Sequence, residues 1–599
     1  MSLTAVSAPS PVGRIALEPP LLLAWLLGIA LMALSYLPVA VDTYRNGSLV
    51  DNDDAMRLVE VRQLLGGQGW FDLRQTRINP PDSPLSHWSR IIDMPLAASI
   101  GALRPWLGQE RAERTVITIW PPVLAGLLLL VLLATVRTVL PPVMMLVAAV
   151  TVGFNPIILF NDIPGRIDHH GTQMLLMACL CLAACEAIFR QRRWAAEIAG
   201  GLSALTLAIG LETLPFVAVA GACFALVWIV RGATARATTG RFGAALALCT
   251  LLLAVLTLPP AGWTAPVCDA LGLSSIWLAV SGGAALVGAS LMPQPARLPA
   301  RLAVGALLAA PAAGVFLLAW PTCLAGPYGS VDPLVMRLWL SKVGETRPVF
   351  DLLAGDPETY LFFLAFPLIG TAGLVFAAVR ERARRPEFVL FLAFAAIGLV
   401  LELQQMRSAS FAAIFALPGW LYVVHAAMTP KTASARARLG LAAASAVVFT
   451  ASLQFPWVAA GIAAAGETTA AAPRCVVPQQ DMSVLAAQPS GLVLAPVELG
   501  PRILVATRDT VLGAPYHRNN AGNRLALDVL IGTADAARER VRQRGIRYVA
   551  LCAGATETTR LVAAAGPDSL VANLAAGKTP AWLAPLQQSG ALQAWRVVD

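Results

Sequence analysis

Charge is scarce in this chain: 13% of its 599 residues are Asp, Glu, Lys or Arg, about half the roughly 25% usual in soluble domains. With 57% hydrophobic residues and a mean hydropathy of +0.67, that deficit excludes an ordinary soluble globule and points to an integral membrane protein. Cysteine is sparse as well. Most of the nine are single and inside apolar runs (Cys179, Cys181, Cys185, Cys223 and Cys249), where they act as small hydrophobes. Only Cys475 and Cys552 fall in the polar tail, where they are able to pair if the tail faces an oxidising compartment. A Walker loop, a dinucleotide fingerprint, a Cys–His zinc pattern and a Ser hydrolase elbow are all missing, so neither ATP nor a nucleotide cofactor is implied. No repeat of fixed period is visible. A cleavable signal is not expected either: residues 1–19 are polar, and the apolar run that follows is too long for the usual h-region of about 7–15 residues. It reads as a retained first span.

What is abundant is apolar sequence in span-sized pieces. Such runs lie at 21–41, 115–137, 140–160, 171–189, 195–211, 213–230, 242–259, 272–293, 302–320, 359–379, 387–404, 408–427 and 438–462, about thirteen spans near the length a helix needs to cross. Unpaired backbone in lipid costs several kcal/mol per group, so these must be helices. Arg190, Arg192 and Arg193, then Arg231, Arg236 and Arg241, Arg297 and Arg301, the Arg380–Arg385 group, and Lys431, Arg436 and Arg438 all fall on one side. The positive-inside rule makes that side cytoplasmic, and topology thereby absorbs much of the formal +9 charge that would otherwise suggest nucleic acid. The other side receives the loops 43–114, 161–170 and 321–358 and everything after about 463. The tail carries strand-like "GLVLAPV", "RILVAT" and "IRYVALC" and helix-like "NRLALDVLIG" and "TADAARERVRQRG", the pattern of a small α/β module. A low-complexity linker, "AAGIAAAGETTAAAP", joins it to the last span. The expected division is a membrane part, 1–465, and a soluble non-cytoplasmic domain, 466–599.

Against this background the acids stand out. "SLVDNDDAMR" crowds Asp51, Asp53 and Asp54 at the start of the first external loop; "PGRIDHHGTQ" sets Asp168, His169 and His170 just before a span; "SKVGETRPVF" puts Glu345 in the long loop. Each alone reads equally as loop solvation or as complement to a helix N-terminus. Together, on one face, carboxylates beside imidazoles suit a hard divalent cation, Mg²⁺ or Mn²⁺, which would offset their repulsion and hold a phosphate leaving group. Trp70, Phe71 and Trp88, with Arg74, Arg77 and Arg90, suit a membrane interface; alternatively Arg74, Arg77, His87 or Arg90 meets an anionic donor or acceptor. "APYHRNNAGN", with His517, is an acceptor-contacting loop or a surface turn.

The order of these motifs (acids after the first span, "GRIDHH" after the third, "KVGETRP" before the tenth, "QMRSASF" after the eleventh) resembles the catalytic subunit of oligosaccharyltransferases, of the GT-C class of membrane glycosyltransferases. The resemblance covers about residues 15–465. It implies a thirteen-span helical core with a soluble C-terminal domain outside the cytoplasm. It implies a catalytic, metal-binding Asp at Asp53 or Asp54, further metal-site residues at Asp168, His169 and His170, a loop motif matched by Val343 and Glu345, and a donor-phosphate contact at Arg407. The family's Trp-Trp-Asp-Tyr-Gly sequence, which recognises the Ser or Thr of the acceptor, is absent from the tail. What the resemblance implies here is sugar transfer from a polyprenyl phosphate or diphosphate to an external glycan, lipid or protein, without an implied Asn-x-Ser/Thr acceptor. The rival reading is a polytopic transporter or lipid flippase, since acids in membrane proteins also mark ion paths. The absence of a transporter-like repeat and the placement of the acids in loops weigh against it.

Overall fold

The computed structural model describes residues 18–353, 357–428, 482–552, 554–586 and 591–598. The first apolar run forms α1 (Pro19–Asn46), closed by Gly47 at φ 68°, a left-handed cap that glycine adopts without a Cβ clash. The segment after α1 then folds into two helices, α2 (Asn52–Leu65) and α3 (Arg90–Leu107). There follow α4 (Gln109–Val139), α5 (Val143–Gly153), α6 (Pro156–Leu159), α7 (His170–Arg190), α8 (Ala195–Ile209), α9 (Leu214–Arg231), α10 (Arg236–Thr257), α11 (Leu273–Leu291) and α12 (Leu298–Ala319). The long segment after α12 holds the short α13 (Pro333–Leu338) and α14 (Val349–Leu353), before α15 (Pro357–Arg380), α16 (Arg385–Gln404) and α17 (Ala409–Met428).

Among the described residues nine helices are long and apolar enough to cross a membrane, or ten when α5 and the stretch Pro156–Asp162 are taken as one span bent by 68°. The bend has a cause: the Asn155 side chain accepts from the amides of Ile157 and Ile158, at 2.9 and 3.2 Å, and so starts a new helix. One of the nine, the 47-residue stretch Leu211–Thr257, is two helices. Phe224 of α9 stacks on Phe242 of α10 with centroids 4.2 Å apart, whereas a straight helix would hold them about 27 Å apart. Every span expected before residue 428 carries a helix; the span expected at 140–160 is broken into α5 and α6, and α8 has 15 residues. The expected span 438–462, the linker, the boundary at 465 and Cys475 lie outside the described residues. The chain is a multi-pass membrane protein, mostly helical, with a small sheet in its C-terminal part.

That sheet has five strands, β1 (Leu492–Leu494), β2 (Thr510–Val511), β3 (Ile546–Cys552), β4 (Leu583–Pro585) and β5 (Leu592–Val597), in the order β2-β1-β3-β5-β4. β1 runs parallel to β2 and β3, and β5 antiparallel to β3 and β4. "RILVAT", expected as a strand, is instead the end of the helix Gly500–Ala506. Pro501 fits a helix's first turn, and a four-residue apolar run does not by itself separate strand from buried helix.

Side-chain alternation divides the sheet's burial between two layers. Leu492, Leu494, Val549 and Leu551 pack with Val335, Trp339 and Leu340 of the segment between α12 and α15. Val493, Tyr548, Ala550 and Cys552 pack with Met56 and Val59 of α2, Ile78 and Trp88. Trp88, expected at a membrane interface, is thus buried beneath the sheet. Arg77 reinforces the junction, its guanidinium donating to the carbonyls of Leu504, Thr507 and Asp509. Beside it, the Val511 amide donates to Arg77 O at 2.9 Å and the Asn79 amide to Val511 O at 2.7 Å. A disulfide that the sequence reading did not anticipate, Cys268–Cys323, ties the segment after α10 to the segment after α12.

Candidate active site

Asp51 caps α2. Its Oδ1 accepts from the amides of Asp53 and Asp54 at 2.9 and 3.1 Å, and Asp54 Oδ2 accepts from the Asp51 amide at 3.0 Å, a reciprocal box that satisfies the first free N–H groups of the helix. Asp54 Oδ1 accepts from Ile167 and Asp168 amides at 2.6 and 3.0 Å. Both oxygens of this fully buried carboxylate are therefore spent on backbone. Asp53 lines the site cavity, and its carboxylate accepts no hydrogen bond among the described residues. The sequence left the two interchangeable. Geometry separates them, Asp54 as the clamp and Asp53 as the group facing the cavity.

The "GRIDHH" segment reaches the same place from the other side. Arg166 pairs with Asp51 and lies 3.0 Å from Asp168, while Asp168 Oδ1 accepts from the His170 amide at 2.8 Å, fixing the start of α7. His169 Nε2 and His170 Nδ1 lie 2.7 and 3.3 Å from one oxygen of Glu212. Glu345 arrives on the turn Gly344–Thr346, and Arg407 on the turn Met406–Ser408 between α16 and α17. The Met406 amide donates to Arg347 O at 3.1 Å, which links those two turns, and Arg407 Nη2 donates to the Tyr328 hydroxyl at 2.9 Å. Asp53, His170, Glu212, Glu345, Arg407 and His517 share the wall of one cavity of about 510 Å³.

Its electrostatics are unbalanced. Burial, then Asp51, Glu345 and Asp168, push the Asp53 carboxyl well above the carboxylate range. Burial and Asp51 do the same to Asp54, with Arg166 offsetting part. Burial also opposes ionisation of Asp168, but Arg166 and the two histidines outweigh it and hold its carboxyl low. Three groups bring potential metal ligands within 4.8 Å of one another: Asp51, Asp54 and Asp168; His169, His170 and Glu212; His87, Asp269 and His517. The ligand set expected from the sequence, Asp53, Asp168, His169 and His170, is split between the first two, and Asp53 joins neither. Glu212 draws the imidazoles to itself and Arg166 draws Asp168. A cation is nonetheless chemically suited to this wall, because Asp53 is a carboxylate without a partner, crowded by other acids beside His170.

Arg74, Arg77 and Arg90 do not line the cavity. Arg74 is exposed, Arg77 is bound to the tail carbonyls, and Arg90 is buried on Asp93, Gln68 and the Asp72 carbonyl. His87 and His517 do line it, their rings 4.6 Å apart. Three site residues were missed: Glu212, Asp269 and Tyr328. Glu212 and Asp269 were nonetheless findable, as lone acids in short connections on the face already expected to be external.

No family model matches the chain, and no curated protein matches it in sequence. Solved structures do. The archaeal oligosaccharyltransferase AglB from Archaeoglobus fulgidus, in complex with an inhibitory peptide and a dolichol-phosphate, superposes at a TM-score of 0.67 over 95% of this chain and 74% of its own, with 15% identity. The Archaeoglobus fulgidus oligosaccharyltransferase tethered with an acceptor peptide containing the NVT sequon gives 0.63 over 95% and 73%, also at 15% identity. Its complex with Zn and sulfate gives 0.60 over 92% and 70%, again at 15%. The chain has the GT-C fold. The GT-C likeness takes in nearly the whole chain and not the helices alone. At this identity it is a likeness of architecture, and the chemistry of this GT-C chain has to be argued from its own side chains.

Proposed function

We propose that this chain is a membrane glycosyltransferase that moves a sugar from a polyprenyl phosphate or diphosphate to an acceptor outside the cytoplasm, with its N-terminus inside and its C-terminal part outside. The observation that carries the reading is the convergence of Asp53, His170, Glu345 and Arg407, from four separate segments, around one cavity in a chain of GT-C fold. A divalent cation, Mn²⁺ or Mg²⁺, would be held by Asp53, Glu345 and His170, with Asp168 fixing the His170 backbone, and would supply charge stabilisation to a phosphate. Arg407 sits at the external end of the α16–α17 pair, where an anionic lipid headgroup reaches it from the bilayer. A guanidinium already fixed by Tyr328 offers preorganised donors to the phosphate as charge builds on it. Asp54 and Arg166 hold the two acid-bearing segments in register. His169 and Glu212 brace His170. The Cys268–Cys323 bond favours an oxidising side for this face, in agreement with the Arg-rich loops opposite.

The test is mass spectrometry of surface glycans and polyprenyl lipids in a deletion strain. Accumulated carrier-linked sugar and a lost glycan are expected; an unchanged profile would favour a transporter or flippase.

A further inference from the structure

His517 lines the same cavity as Asp53 and Glu345, on the turn His517–Asn519 of the C-terminal part. Its Nε2 is 2.6 Å from Asp269 Oδ2. A carboxylate only accepts, so in the neutral ring Nε2 carries the proton and Nδ1 is left with a lone pair. No hydrogen bond to Nδ1 forms among the described residues, and the ring lines the cavity. Asp269 is itself fixed three times over. Arg518 grips both of its oxygens, Nε at 2.7 Å and Nη2 at 2.7 Å, and its neighbour Cys268 is bonded to Cys323. The charged and titratable groups facing the ring are therefore Asp269, Arg518, His87 at 4.6 Å and Tyr328 at 5.3 Å between centroids. Tyr328 in turn holds Arg407, so one aromatic ring separates the imidazole from the proposed phosphate site.

His87, Asp269 and His517 also have the spacing of a metal site, but Asp269 has no oxygen to spare. A guanidinium bidentate on a carboxylate competes with any cation there. What remains is an orienting carboxylate, an imidazole held in one tautomer, and an open nitrogen facing the substrate space, the arrangement by which a histidine acts as general base.

We infer that His517, positioned by Asp269, is the catalytic base of this enzyme and that its acceptor is a hydroxyl group. The inference rests on the glycosyltransferase reading above. The acceptor oxygen attacks the anomeric carbon of the donor sugar, forming the O–C bond, and its proton passes to His517 Nδ1. The bond from that carbon to the phosphate oxygen breaks, and its electron pair leaves with the carrier phosphate. A hydroxyl needs only this one proton removed as the bond forms, a task suited to an imidazole held in one tautomer. An amide nitrogen, whose lone pair is delocalised, gains little from such a base.

The experiment uses the full-length protein in nanodiscs. Polyprenyl-linked sugars extracted from the deletion strain serve as donor, and glycan-deficient membranes of that strain as acceptor. His517→Ala and His517→Gln should each lower the rate of transfer about a hundredfold or more with an unchanged donor KM. Wild-type activity should fall on the acid side with a single-proton limb that both variants lack, and added imidazole should restore part of the activity of His517→Ala. Transfer within twofold of wild type in both variants, or a raised donor KM at unchanged kcat, would overturn the inference; the second result would make His517 a donor contact. Retained activity in both variants, alongside loss in Asp53→Asn and Arg407→Ala, would overturn this inference alone. A wild type that transfers no sugar would overturn the glycosyltransferase reading itself.

Discussion

Asp54 and Asp168 are joined across 114 residues of chain: the Asp54 carboxylate accepts the Asp168 amide at 3.0 Å and the neighbouring Ile167 amide at 2.6 Å. Through that bond the start of α2 and the start of α7 become one rigid floor. Asp53, the residue next to the clamp, is thereby held at a fixed position opposite the histidines.

The two adjacent acids should therefore fail differently. Asp54→Ala leaves the buried Ile167 and Asp168 amides and the part-buried Asp51 amide without their acceptor, a loss of about 3 kcal/mol or more, and should lower the thermal midpoint of the purified protein along with its activity. Asp53→Asn removes no hydrogen bond. It should abolish transfer, by about a hundredfold or more, while leaving the midpoint unchanged. A destabilised Asp53→Asn protein would return Asp53 to a structural role.

Chelator should stop sugar transfer by the wild type, and added Mn²⁺ or Mg²⁺ should restore it. Binding can be read without turnover, from the Mn²⁺ electron paramagnetic resonance signal of the titrated protein. Asp53→Asn and Asp168→Asn should each weaken that binding. Full activity in chelator would leave the acids without a cation.

Arg407→Lys keeps the charge but loses the planar fork, and donor turnover should fall tenfold or more, at the order of one lost charged contact. Tyr328→Phe removes the hydroxyl that fixes the guanidinium and should show a smaller loss in the same assay. Wild-type turnover in both would leave Arg407 as a residue that merely snorkels to the interface.

Glu60 gives a pH signature. Burial and then Asp93 raise its carboxyl from the ordinary 4.5 to about 7, against the pull of Arg57. Because the folded state holds this proton more tightly than the unfolded chain, stability declines as pH rises from about 4.5 to about 7 and is flat in this group above that. Glu60→Gln keeps an acceptor for the Tyr516 hydroxyl, 2.8 Å from Glu60 Oε1, and should flatten that decline. Thermal midpoints across the interval check it, and an unaltered slope counts against the assignment.

Sidedness can be tested directly. A reporter that works only outside the cytoplasm, fused at residue 470, should be active, and non-reducing peptide mapping of protein from intact cells should recover the Cys268–Cys323 pair. Cytoplasmic reporter activity, with both thiols reduced, would place the site on the wrong face.

Span-length apolar runs, alternating Arg loops and crowded acids were legible because each is a local pattern with one dominant physical cause. The choice between Asp53 and Asp54 was not, because it depends on which carboxylate meets the amides of Ile167 and Asp168, more than a hundred residues away. Arg77, Arg90 and Trp88 misled for a related reason. Long cationic and aromatic side chains suit an interface, a ligand or a buried seam equally well, and only the packing of the sheet against α2 decides. Glu212 sat in a connection only a few residues long and Asp269 in one between two apolar helices, Arg236–Thr257 and Leu273–Leu291, and the apolarity of the flanking runs dominated the reading. "RILVAT" became a helix because tertiary contact with α2 outweighs the preference of its β-branched residues.

The hydrogen bonds between residues 77–79 and Val511 mean that the segment between α2 and α3 supplies the outermost rung of the C-terminal sheet. Ribosomal synthesis makes that rung more than four hundred residues before β2 exists, so the emerging C-terminus docks onto a template already anchored at the bilayer. Severed from it, the C-terminal part would offer β2 as a bare edge to any neighbouring chain.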